Sequence, residues 1–238
     1  MSDIAIKNLH VAYGENTVFD GFDIGFKESK ISVVLGGSGV GKSTLLNAIA
    51  GLVPYSGSIE RAEGEVSYIF QNTRLIPGIS VYKNLDLILR AIIKDRHERK
   101  RRIEEMLKLL EIEGEAKKLP TELSGGQAQR VAMARAYLYP SKILLLDEPF
   151  KALDTALKGR LIKTLISLNE REPRTVIFVT HSIDECLLLA DDYFVLEGKP
   201  VNISLVGSIS SDKEERQLSN SDLSSVREDL LKALLSQA

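Results

Sequence analysis

Tryptophan is absent from this chain, and a single cysteine, Cys186, leaves no intrachain disulfide to be made. A lone thiol fits a reducing compartment. Also missing is any apolar run near the roughly 20 residues that a membrane helix requires, so work at a membrane would need a membrane partner. The opening MSDIAIKNLH carries an acid at Asp3 and no apolar run, which argues against a secretory signal. Excess charge of either sign is lacking too. With a net charge of -2 and 27% charged residues, neither a disordered tail nor a nucleic-acid-dominated protein is expected. What is present is 238 residues with 44% hydrophobic content, enough for one substantial core or a core with a small subdomain.

Strands alternate with helices, which favours an α/β class with a largely parallel sheet. Ile31 to Leu35, Lys142 to Asp147, Thr175 to Val179 and Tyr193 to Leu196 read as apolar strands, the first and second buried on both faces. A helix is expected from Lys42 to Leu52, with Leu45, Leu46, Ile49 and Leu52 at helical spacing, and another from Thr155 to Leu168. The first thirty residues and the stretch from Gly57 to Phe70 alternate between glycine-containing turns, which predicts antiparallel strands. Residues 83–139 read as mostly helical, with Ile103, Met106, Leu107 and Leu110 on one face. The expected organisation is one domain. Residues 1–82 and 140–207 form the core with its antiparallel part, 83–139 an inserted helical subdomain, and 208–238 a polar tail. That tail reads as a loose linker ending in a helix with Leu223, Val226, Leu230, Leu231 and Leu234 on one face.

Residues 36–44 read Gly36, Gly37, Ser38, Gly39, Val40, Gly41, Lys42, Ser43, Thr44, which matches G-x-x-x-x-G-K-[ST]. Glycines let the backbone curl so that its N–H groups face phosphate oxygens. The following helix offers its positive N-terminus to the same anion. Lys42 supplies a point charge for the β- and γ-phosphates, and the Ser43 hydroxyl is a hard oxygen ligand for Mg²⁺. A glycine-rich turn without a ligand would not need the flanking buried strand and amphipathic helix found here.

The strand Ile143 to Leu146 delivers Asp147 and Glu148 at its carboxyl end, the edge where ligands sit in open α/β sheets. Asp147 is expected to hold Mg²⁺ and Glu148 to polarise or deprotonate the attacking water. Alone, these would be two surface acids in a turn; beside a phosphate loop they form a Walker B arrangement.

Leu123, Ser124, Gly125, Gly126 and Gln127 spell LSGGQ, and the order of motifs around it is informative. Through Tyr13, the phosphate loop, Gln71, LSGGQ, Asp147 with Glu148, Ala152-Leu153-Asp154 and His181, the chain resembles the ATP-binding subunits of ABC transporters over nearly its whole length. That resemblance implies a P-loop NTPase (RecA-like) core with a parallel sheet, an N-terminal antiparallel β subdomain and an inserted helical subdomain. It implies stacking of adenine on Tyr13, sensing of Mg²⁺ and water by Gln71, and a hydrogen bond from His181 to the γ-phosphate. Ser124, Gly126 and Gln127 would contact the γ-phosphate held by an opposite chain in a head-to-tail dimer, with Asp154 reaching across. Helix capping by Ser124 is the plainer reading of the signature taken alone.

A single nucleotide-binding domain implies separately encoded permease subunits, docked near Gln71 to Arg90. Asp147 to Phe150 with Ala152 to Asp154, and the tail Val226 to Leu231, are similar to the nitrate, sulfonate and taurine importer branch, which thiamine-precursor importers share. The implied protein is an ATP-hydrolysing importer subunit, a homodimer on the cytoplasmic side of the inner membrane, working with an extracytoplasmic solute-binding protein and no nucleic acid. An exporter or lipoprotein-release ATPase is the alternative. Two positions depart from the branch. Lys151 stands where a small residue is usual, and Ile76 to Ile79 lacks the tryptophan often seen after Leu-Pro. The basic run Lys94 to Arg102 is expected to be a solvated helix face, eased by Glu98, Glu104 and Glu105.

Overall fold

A computed structural model describes residues 2–61, 66–151 and 153–236. Glu65, within the Gly57 to Phe70 stretch, and Ala152 of the Ala-Leu-Asp motif lie outside the described residues.

Among the described residues, nine strands form two sheets. The larger has six strands in the order β5-β6-β7-β3-β8-β9. Here β3 is Ile31–Gly36, β5 is Val66–Ile69, β6 is Ile143–Asp147, β7 is Thr175–Val179, β8 is Asp192–Glu197 and β9 is Asn202–Ser208. The first five are mutually parallel and β9 closes the edge antiparallel to β8. Side chains of β3, β6 and β7 split by strict alternation between two cores. Val33, Leu35, Leu144, Leu146, Val176 and Phe178 join the core shared with the helical segment. Val34, Ile143, Leu145, Ile177 and Val179 join the core shared with the smaller sheet. Alternating side chains point to opposite faces, and both faces are covered, so these strands are apolar apart from the buried Ser32, Asp147 and Thr175.

The smaller sheet has the order β2-β1-β4, with β1 Ser2–Tyr13, β2 Asn16–Lys27 and β4 Ser56–Arg61, all antiparallel. Antiparallel pairing was expected of the whole Gly57 to Phe70 stretch, and β5 corrects it. That strand pairs parallel with β6, Ile69 opposite Leu146. Its alternating burial comes from lying at the sheet edge, where Ser67 and Ile69 are buried and Val66 and Tyr68 only partly covered.

Helix α1, Lys42–Ile49, stops three residues short of the expected Leu52. Gly51 takes φ +69° and Leu52 N–H bonds the Asn47 carbonyl at 2.8 Å, a Schellman ending that turns Leu52 out to solvent. The inserted helices are α2 Val81–Arg90, α3 Arg96–Leu109 and α4 Gly125–Leu138. Ile103, Leu107 and Leu110 are buried between them, with Met106 partly so. On α3, Arg101 and Arg102 pair with Glu98, Arg101 with Glu105 and Lys100 with Glu104, as a solvated face requires. Arg99 is the exception. It turns inward and is buried, its Nε 2.7 Å from Asp86 Oδ1.

Helix α5 (Thr155–Arg171) extends past the expected Leu168, and α6 (Ile183–Leu189) packs beside α7 (Asp222–Leu235). The linker before α7 is pinned, not loose. The buried Arg216 guanidinium donates to the carbonyls of Ala190 at 2.8 Å, Leu187 at 3.3 Å, Ile209 at 3.0 Å and Ser211 at 2.7 Å. A cation there meets the negative end of α6. On α7, Leu223 and Leu230 are buried and Val226 and Leu234 partly so, whereas Leu231 falls outside the stripe and is 42% exposed.

Candidate active site

The parallel strands all deliver their carboxyl ends to one edge, and four of the sequence motifs begin there. β3 ends at Gly36 and opens the phosphate loop; β6 ends at Asp147; Gln71 follows β5; His181 follows β7. A cleft of about 280 Å³ at this edge is lined by Tyr13, Ser38, Gly39, Gly41, Lys42, Ser43, Thr44, Gln71 and Glu148 from among the expected residues.

Two loop positions have no room for a side chain. A Cβ on Gly36 would stand 2.6 Å from the Leu196 carbonyl oxygen. One on Gly41, at φ +125°, would meet Val18 Cγ1 at 2.9 Å and Val201 Cγ2 at 3.0 Å. The first lets the loop leave β3 against β8; the second lets α1 start against the smaller sheet. Gly37 and Ser38 lie exposed between them.

Lys42 opens α1 with its ammonium buried, donating to the carbonyls of Gly36 and Gly37 at 2.8 Å each. A buried ammonium needs such partners. Desolvation depresses its pKa, with the negative charges of Glu148 and Asp147 acting in the opposite direction. The lysine thus closes its own loop, holding the donors that a phosphate group could claim.

Asp147 is 5% exposed and hydrogen-bonded by Ser43. Desolvation raises its carboxyl pKa above the ordinary value, and the adjacent Glu148 adds to this, despite the opposing Ser43 bond. A cation in the site would relieve that penalty on the ionised form. Ser43, Asp147 and Gln71 all offer oxygen donors, the chemistry that suits Mg²⁺. Among the described residues no group of three or more His, Cys, Asp or Glu is gathered, so an all-protein cage is not what this edge provides. Few protein ligands fit an ion that retains waters and phosphate oxygens.

Glu148 sits just past β6 at φ +47°. Burial pushes its carboxyl pKa up, but hydrogen bonds and charges from Lys151 and His181 outweigh that and hold it below the usual glutamate value. His181 Nδ1 lies 3.2 Å from Oε1 and Lys151 Nζ 2.9 Å from Oε2. The carboxylate is therefore ionised and an acceptor at neutral pH.

Other expected residues lie elsewhere. Ser124, Gly125, Gly126 and Gln127 do not line the cleft. Ser124 caps α4, accepting from Gln127 N–H at 3.2 Å while Gln127 Oε1 accepts from Ser124 N–H at 2.8 Å, a reciprocal capping box. Gln127 Nε2 also donates to Glu115 at 2.9 Å. Asp154 caps α5, accepting from Leu157 N–H at 3.0 Å. One chain thus leaves its signature away from its own phosphate loop.

The sequence reading missed Asn16, Val18 and Lys151 as cleft residues. Its signal for the first two was the two-residue turn after Tyr13. Gly14 at φ +60° makes a tight hairpin that places Asn16 opposite Tyr13. For Lys151 the signal was present as a departure from the branch, but not what the ammonium touches.

A model of the ABC transporter family matches residues 19–151. The chain is 39% identical over 205 residues to an aliphatic sulfonates import ATP-binding protein of Pseudomonas syringae pv. syringae (strain B728a), covering 86% of this chain and 84% of that protein. The dimeric structure of a bacterial ABC transporter cassette resembles it with a TM-score of 0.79 and 29% identity, covering 88% of this chain and 100% of that one. The dimeric post-hydrolysis state of an ATP-binding cassette, bound to ADP and Pi, gives a TM-score of 0.78 at 29% identity, with the same coverage.

Proposed function

The chain belongs to the ABC transporter family, and we propose that it is the ATP-hydrolysing subunit of an importer for a small solute of the sulfonate, nitrate, taurine or thiamine-precursor kind. The observation that carries this is the convergence of Lys42, Ser43, Asp147, Glu148 and Gln71 on one sheet edge, with the Ser124 to Gln127 signature outside that cleft. A site divided in this way calls for a second chain to complete it. The relative named above is an import protein, which favours import over export.

In the proposed reaction, adenine stacks on Tyr13, a residue 48% exposed. The N–H groups of Gly36 to Thr44 and the N-terminus of α1 take the phosphates. Lys42 exchanges its two loop carbonyls for β- and γ-phosphate oxygens. A Mg²⁺ ion held by Ser43, Asp147 and Gln71 would neutralise phosphate charge. Glu148 accepts a hydrogen bond from water and orients it toward the terminal phosphate, with His181 fixing the other carboxylate oxygen. Ser124, Gly125, Gly126 and Gln127 of a second identical chain contact the same phosphate, and Asp154 reaches across the interface. Closure of the pair pulls on permease subunits docked near Gln71 to Arg90. Exposed Ile76 and Leu87 supply apolar surface there. Among the described residues no helix is long and apolar enough to cross a membrane. By its likeness to an import ATP-binding protein, we place the subunit peripherally on the cytoplasmic side of the inner membrane, in a complex that includes a solute-binding protein.

The test is purification of the tagged chain from gently solubilised native membranes. Recovery of a polytopic permease, with ATPase activity in the complex, is the expected result. Recovery of the chain alone, or on ribosomes or DNA, would overturn the transport reading and leave the ATPase reading standing.

A further inference from the structure

Lys151 closes the turn after Glu148, and its side chain enters the cleft. Its Nζ is ion-paired with Glu148 Oε2 at 2.9 Å, a buried oxygen that makes no hydrogen bond of ordinary geometry, while His181 holds Oε1. The same side chain lines the cleft with Lys42, Ser43 and Gln71.

Backbone and side chain differ in freedom. The turn is fixed: Lys151 N–H donates to the Glu148 carbonyl at 3.2 Å, and Phe150 between them is fully buried. The lysine stem is 55% exposed. A flexible four-carbon stem on a rigid turn can move its ammonium without disturbing the loop. The plainer account is an exposed i,i+3 pair of little consequence. Against it, the acceptor is no surface acid. Glu148 is only 14% exposed and stands beside the phosphate loop. A terminal phosphate offers an ammonium more charge and more acceptor oxygens than one carboxylate that His181 already shares.

We propose that Lys151 senses the terminal phosphate, exchanging Glu148 for the γ-phosphate of bound nucleotide. The exchange frees Glu148 Oε2 to accept from water only when a triphosphate is present. A diphosphate leaves Lys151 on Glu148, so the chain distinguishes ATP from ADP partly through this one loop position. The proposal rests on the reading of the cleft as an ATP site.

The experiment is equilibrium binding of the β,γ-imido analogue of ATP and of ADP, each with Mg²⁺, to the full chain and to Lys151→Ala and Lys151→Arg. Lys151→Ala is expected to weaken the triphosphate analogue about tenfold, the size of one charge-assisted contact, and to leave ADP within about twofold. Lys151→Arg should recover most of the loss. In turnover, the apparent KM for ATP should rise in the alanine variant by a similar factor. Equal weakening of both nucleotides would mark a structural role and overturn the proposal, as would no weakening of either. Failure of the unaltered chain to bind either nucleotide would overturn the ATP-site reading itself, and the proposal with it.

Discussion

His181 and Glu148 meet because of strand register. Asp147 on β6 stands opposite Val179 on β7, and Glu148 N–H continues the ladder by donating to the Val179 carbonyl at 3.0 Å. Each chain then turns, Glu148 at φ +47°, and their side chains come within 3.2 Å. A slip of one residue between these strands would send the side chains to opposite faces. The fully buried apolar residues of both strands guard against that slip.

Replacing Glu148 by Gln keeps the shape of this contact and removes the charge. Hydrolysis is expected to fall at least about a hundredfold, the usual worth of a general base. ATP-bound dimer should accumulate, since closure no longer leads to product. Phosphate release and size-exclusion chromatography with ATP check both parts. Near-normal turnover would remove Glu148 from the role of base.

The two readings of Ser124, helix cap and phosphate ligand, separate in Ser124→Asp. Aspartate caps a helix as well as serine does, so thermal stability should stay within about 1 kcal/mol of the original. A carboxylate facing a γ-phosphate repels it, so ATP-driven dimerisation and turnover should be lost. Retained turnover at retained stability would leave Ser124 with capping alone.

The most legible parts of the sequence were those where physics demands particular residue types in consecutive positions. β3, β6 and β7 showed themselves because burial on both faces leaves few polar positions, such as Ser32 and Thr175, to blur the run. The phosphate loop showed itself because Gly36 and Gly41 admit no side chain and Lys42 must carry charge into a buried place. Pairing was less legible than periodicity. β5 alternates, and alternation is shared by an antiparallel strand and a parallel edge strand. Least legible were cations with distant partners. Arg99 and Arg216 sit in polar stretches that read as solvated, yet each turns inward to acceptors contributed by other elements. Composition carries no record of that choice.

Asp86 on α2 and Arg99 on α3 form such an inward pair, with side chains 6% and 10% exposed. Burial alone would raise the Asp86 carboxyl pKa, but hydrogen bonds and charges from Arg99 and Arg90 outweigh it and hold the value below the ordinary one. A depressed carboxylate contributes stability that is present above its unfolded pKa and lost as pH falls through the folded one. Asp86→Asn removes the counter-charge of a buried guanidinium, leaving it the carbonyls of Ile93 and Lys94, and is expected to cost about 3 kcal/mol at pH 7. The gap between the two proteins should narrow below about pH 4, where unfolded aspartate begins to protonate. Urea unfolding at pH 7 and at pH 3 checks the sign. A constant gap across that range would show that the pair's charge is not what stabilises it.

Arg216 poses the corresponding question for the tail. Its guanidinium serves carbonyls of Leu187, Ala190, Ile209 and Ser211, drawn from the end of α6 and from the segment leaving β9. Arg216→Ala removes these bonds from a buried place and is expected to cost about 2–3 kcal/mol. The loss should be local in its consequences. Hydrogen exchange in α7 should quicken first, because Leu223 and Leu230 keep only their apolar contacts once the linker is released. The charge-conserving change Arg216→Lys should recover little, since one ammonium cannot match a planar guanidinium that reaches four carbonyls. Affinity for ATP should be unchanged, because no described residue of the tail lines the cleft. If Arg216→Ala weakens ATP binding as much as it loosens α7, the tail and the phosphate loop are coupled, and the local account of Arg216 fails.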